Sequence, residues 1–121
     1  MPTPAIIERL HVGPRLSEIA SHNGTVYLAG QIAEDTKADV YEQTREVLGH
    51  IDRLLAEAKS DKSLILSATI WLSNMKHYAE MNRAWDAWVV PGATPPRATV
   101  EAKLARQECL VEIKVIAAQG V

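Results

Sequence analysis

Between Asp39 and Ala58 the positions Val40, Thr44, Val47, Leu48, Ile51, Leu54, Leu55 and Ala58 recur at helical spacing along one stripe. Side chains of a strand alternate between faces, so only a helix gathers this set on one side. The spacing predicts a helix over 39–58. Asp39 followed by Glu42 matches a capping box, with the Asp oxygen taking an orphan amide and the Glu reaching back to the cap. Lys59 suits the negative end of the helix dipole.

Around this helix the hydrophobic period changes to two. Ile6–Val12 reads as a first strand, and Leu16–Ser21 with Thr25–Ala29 flank His22-Asn23-Gly24, whose Asn-Gly pair signals a tight hairpin. Leu64–Leu72 is β-branched and apolar, predicting a buried strand with Leu66, Ala68, Ile70 and Leu72 on one face and Ile65, Ser67, Thr69 and Trp71 on the other. Ser73 or Asn74 caps a second helix, whose stripe Met75, Tyr78, Asn82, Trp85 and Val89 runs to the Pro91-Gly92 stop. Two strands close the chain, Arg97–Leu104 and Leu110–Ala117. The expected fold is α+β, ordered β-β-β-α-β-α-β-β, with two helices on one face of a mixed sheet. The uncovered face would carry Trp71, Ile65 and Ile116 among Thr99, Glu101, Lys103, Glu112 and Lys114. That mixture is too apolar for open water and too charged for a dry core, so it points to self-association.

With 121 residues and 47% hydrophobic content, the chain is expected to form one domain, 1–121, without needing disulfides or a metal. Cys109 stands alone, which excludes an internal disulfide framework and leaves the redox compartment undecided, a reducing cytosol being the simpler assumption. Thirteen basic against fifteen acidic side chains argue against a general nucleic-acid binder. No apolar run approaches the roughly 18 to 20 residues of a membrane span, and the N-terminus lacks the build of a signal peptide. A soluble cytoplasmic protein with no nucleic-acid or membrane partner is expected.

There is no Gly-rich phosphate loop, no metal-ligand spacing and no Gly-x-Ser-x-Gly elbow. His11, His22, His50 and His77 are scattered and read as solvated; Cys109 reads as a small buried residue. Arg97 is different, because Pro95-Pro96 fixes an extended approach to it. Its planar fork suits a ligand carboxylate, with a structural ion pair as the ordinary alternative. Glu112 lies mid-strand on the polar face, where a solvated or paired carboxylate is the default.

Taken together, Asn23-Gly24-Thr25-Val26-Tyr27-Leu28-Ala29-Gly30-Gln31-Ile32, Gln43-Thr44, Asn82, Pro96-Arg97-Ala98-Thr99-Val100-Glu101 and Val111-Glu112-Ile113 resemble the Rid family of reactive intermediate/imine deaminases, the YjgF-like proteins, from about Gly13 to Ala117. The resemblance implies a chorismate-mutase-like fold, a homotrimer with a central barrel, and ligand clefts between subunits. It implies hydrolysis of 2-imino acids and their enamines to 2-keto acids and ammonia, with no cofactor and no metal. Arg97 would bind the substrate carboxylate, Glu112 would orient or activate water, Thr99 would add backbone contacts, and Asn82 and Gly30 would help form the cleft. The chain departs from the active branch at Gly13-Pro14-Arg15-Leu16-Ser17-Glu18, where that branch has Gly-Pro-Tyr-Ser-Gln. Arg15 there either replaces a polar contact of the tyrosine or is solvated. Such chemistry is plausible for these residue types, since an imine carbon is electrophilic and needs only an anchored carboxylate and an aligned water. The alternative from another class is a module that binds a small keto or amino acid without turnover; an endoribonuclease or translation inhibitor is disfavoured by the charge balance.

Overall fold

The computed structural model describes residues 6–121. Strands β1 (Glu8–Val12), β2 (Ser17–His22) and β3 (Thr25–Leu28) form an antiparallel meander. The β2–β3 turn has Asn23 and Gly24 both at positive φ, 52° and 80°, which is what a two-residue hairpin loop requires. A two-residue strand β4 (Gln31–Ile32), absent from the sequence expectation, follows a break at Ala29-Gly30 and pairs with the last strand beyond the reach of β3. Helix α1 (Val40–Glu57), β5 (Ile65–Leu72), α2 (Tyr78–Trp88), β6 (Arg97–Glu101) and β7 (Val111–Ala118) complete the chain. The seven-stranded sheet runs β1-β2-β3-β7-β5-β6, with β4 also on β7; β5–β6 is parallel and the other pairings are antiparallel.

The core lies between the sheet and the helices. α1 packs on β3, β4, β7 and α2, burying Val47, Leu48, Ile51, Leu54 and Leu55 against Ile19, Val26, Ile70, Ile113 and Val115. Burying one Leu or Ile contributes roughly 1.5 to 3 kcal/mol, so this stripe supplies much of the driving force. Asp39 caps α1 by accepting from the Glu42 amide at 2.9 Å, but Glu42 turns to Arg45 instead of closing the box. Lys59 takes the left-handed conformation just past the helix end, φ 63°.

Three expectations about faces need correction. A bulge between Ile65 and Ser67 flips the first residues of β5, so Ile65 is buried under the helices and Leu66 is exposed. In β6, the register pairs Thr99 with Ile70 and Glu101 with Leu72, while Ala98 and Val100 join Thr69 and Trp71. Thr99 and Glu101 therefore lie on the helix side, and β6 ends before Lys103; the uncovered face carries Trp71, Val100, Tyr27, Ile116, Glu112 and Lys114. In the second helical segment, a short 3-10 turn at Met75–His77, capped by Asn74, precedes α2. The residues it buries are Met81, Ala84 and Trp85, whereas Met75 and Tyr78 are exposed.

Candidate functional site

Arg97 opens β6, the edge strand, and points under α2. Its guanidinium carbon stands 5.2 Å from the Trp85 ring centre and 5.9 Å from that of Tyr78, and Nη2 donates weakly to the Tyr78 hydroxyl at 3.4 Å. Two aromatic faces thus hold the fork while leaving most of its donors free. Two further groups from the same layer are orphaned: Asn82 Oδ1 on α2 and Thr99 Oγ1 on β6 are buried with no hydrogen-bond partner among the described residues. Buried polar atoms without partners mark a place where a ligand or water completes the bonding. Arg97, Asn82 and Thr99 are therefore placed at one junction of α2 and β6. The seven-residue spacing of Tyr78 and Trp85 on one helical face is visible in the sequence, but that they hold Arg97 follows only from the packing of α2 on β6.

Glu112 lies elsewhere. It sits on β7, in register with Trp71 on one side and Ile32 on the other, on the face away from the helices. Its carboxylate leans over Gly30: a Cβ built there would meet Glu112 Oε2 at 2.1 Å. Gly30 thus admits this close approach by lacking a Cβ, not through its backbone angle. Burial alone pushes the Glu112 carboxyl above its ordinary range, with no hydrogen bond or charge among the described residues to offset it.

Gln43 positions the entry to this strand, a role the sequence pattern left unassigned. Fully buried on α1, it accepts from the Leu110 amide at 2.9 Å and donates to the Ala38 carbonyl at 3.1 Å, fastening the loop before β7 to the helix. Arg15 is exposed at the β1–β2 turn, across the sheet from β6. Within one chain, then, the structure groups Arg97 with Asn82 and Thr99, and Glu112 with Gly30, and brings neither group to the other or to Arg15. β5 lies between the strands of Arg97 and Glu112, and the two side chains leave opposite faces.

Residues 7–119 match the family model described as Endoribonuclease L-PSP. A RutC family protein of Haemophilus ducreyi is 51% identical over 113 residues, covering 93% of this chain and 97% of the relative. The chain belongs to this family, the YjgF or RutC proteins. The RutC family protein YoaB of Escherichia coli is 46% identical over 112 residues, 93% of this chain and 97% of its own. Among solved structures, NMB1025 of Neisseria meningitidis, a member of the YjgF family, superposes with a TM-score of 0.94 at 48% identity, covering 97% of this chain and 98% of its own. The α+β architecture is thus that of the YjgF structures. Among the described residues no cluster of His, Cys, Asp and Glu could hold a metal, and no helix is long and apolar enough to cross a membrane.

Proposed function

We propose that this RutC-family protein is a cytoplasmic hydrolase of 2-imino acids and enamines, acting without cofactor at clefts that two copies build together in a homotrimer. The observation that carries the reading is the division of labour within one chain. Arg97, a held guanidinium on an edge strand, and Glu112, a half-buried carboxylate with no partner among the described residues, have complementary roles but opposite faces. A second copy that docks its β6 edge and α2 beside the first copy's Gly30 and Glu112 unites them, and the uncovered sheet face with Trp71, Val100 and Tyr27 gives such docking its apolar area.

In that cleft Arg97 grips the substrate carboxylate with paired charge-assisted hydrogen bonds, fixing C2. Glu112, whose burial raises its proton affinity, takes a proton from water as the oxygen bonds to C2 and the C=N π pair moves onto nitrogen, and it then passes that proton to the nitrogen, giving a neutral carbinolamine. Glu112 next takes the carbinolamine hydroxyl proton and returns it to the nitrogen as C=O forms and the C–N bond breaks, so ammonia and the 2-keto acid leave and Glu112 is again ionised. The test is to generate imino acids with an amino-acid oxidase and follow their loss. Acceleration over the spontaneous rate supports the enzyme; tight keto-acid binding without acceleration would assign a carboxylate-binding module instead. Light scattering on the eluting protein should give three chains, and a monomer would remove the shared cleft.

A further inference from the structure

The shared cleft assigns the ligand's carboxylate to Arg97 and its reacting carbon to Glu112, and leaves its side chain without a place. Where β3 breaks before β4, a groove of about 350 Å³ opens, lined among others by Gly30, Gln31, Glu18, His50, Arg53 and Arg106. Gly30 belongs to both regions: the Glu112 carboxylate crowds its Cα, and it also borders the groove. A substrate side chain that leaves C2 past Gly30 would have this groove to enter, Gly30 lining it at the strand break and His50 and Arg53 from α1.

The groove's polar groups differ in what they have left to offer. Gln31 is committed, donating to Glu18 Oε2 at 2.7 Å and to the Ala29 carbonyl at 3.1 Å, and this bond turns Glu18 onto Gln31. His50 is committed too, with Nε2 2.9 Å from Glu46 and Nδ1 3.1 Å from Arg53 Nη2. His11 at the rim is paired with Glu57. Glu34, also at the rim, is the one further carboxylate. The guanidinium groups of Arg53 and Arg106 make no ion pair among the described residues and keep most of their five donors each. Glu18 and Glu34 match the two guanidinium groups in charge, so it is the number of N–H donors left on Arg53 and Arg106, and not an excess of positive charge, that suits a side chain ending in acceptor oxygens over an alkyl one.

Resting on the reading above, we propose that the preferred substrates are 2-imino acids whose side chain ends in acceptor oxygens, a carboxylate or a carboxamide, and that Arg106 and Arg53 read that terminus. Imino acids made from glutamate, glutamine and leucine by amino-acid oxidases test this. The wild-type protein should favour the first two over the third by about tenfold or more in kcat/KM. R106A and R53A should bring the three towards parity by loss on the oxygen-bearing substrates, leaving the leucine-derived imine within about twofold. Preference for glutamate alone identifies a charged terminus, and preference for both identifies hydrogen bonding. Equal or greater turnover of the leucine-derived imine by the wild type overturns the proposal. If no imine is hydrolysed, the enzymatic reading fails separately, and calorimetric titration still decides the groove. Tighter binding of 2-oxoglutarate than of 4-methyl-2-oxopentanoate, lost in R106A, supports it; equal binding overturns it.

Discussion

The α2–β6 junction and the strand break at Gly30 contrast in how each holds its charged group. At the junction, Arg97 is surrounded by partners suited to a cation, the rings of Trp85 and Tyr78. At the break, Glu112 has burial and crowding but, among the described residues, nothing that favours its charge. A guanidinium is weakly hydrated and tolerates such a setting, whereas a carboxylate is penalised by it. The difference teaches that Arg97 stands where a cation is favoured, and Glu112 where burial favours the protonated carboxyl.

The strongest way to break this comparison is to disable the halves separately. Arg97→Ala and Glu112→Gln should each lower kcat/KM by roughly 10² to 10⁴, with Arg97→Lys recovering part of the first loss because one ammonium cannot copy the fork. Mixing the two dead proteins after subunit exchange should restore activity, since about a quarter of shared clefts would then draw both wild-type halves from different copies. No recovery in demonstrably mixed oligomers would place both residues in one chain's site.

Gly30→Ala sharpens the anionic half. The new Cβ forces Glu112 Oε2, the mobile end of a flexible side chain, to move by at least about 1 Å, and such a misplacement can cost about 100-fold in rate. Thermal melts should barely change, which would separate misalignment from unfolding.

Gln43→Leu tests whether the loop before β7 must be fastened. It leaves the Leu110 amide without its acceptor, so urea unfolding should show a loss of about 1 to 3 kcal/mol. An unchanged midpoint would show that the loop finds another partner.

The smallest effect concerns pH. Because the folded protein holds the Glu112 proton more tightly than the unfolded chain, the folded state binds more protons above the ordinary carboxylate pKa near 4.3. Stability should fall there as pH rises, until Glu112 is ionised in the folded state too. Glu112→Gln should therefore melt at the same temperature as wild type below about pH 4 and at a higher one at neutral pH. A Gln variant no more stable at neutral pH would show that a cation from another copy already compensates Glu112 in the assembly.

Much of this was legible in one dimension. The α1 stripe, the Asn23-Gly24 hairpin, the strand into Leu72 and the alternation along β7 follow from local periodicity and turn chemistry, and the structure reproduces them within one or two residues at most ends. The residues themselves also carried the family: Arg97 behind its two prolines and Glu112 in its strand were singled out before any geometry. Periodicity of two, however, states only that neighbours alternate, and never which set faces the helices. Pairing decided that Thr99 joins Ile70 on the helix side, and a bulge decided that Ile65 is buried in place of Leu66. The two-residue β4 is too short to have a period at all, and Gln43 became a clamp only once the loop before β7 folded back onto α1. Residue types and spacing by themselves singled out Arg97 and Glu112 as candidates; that the two leave opposite faces of one sheet was decided by register, because hydrogen bonding between distant strands sets side-chain direction.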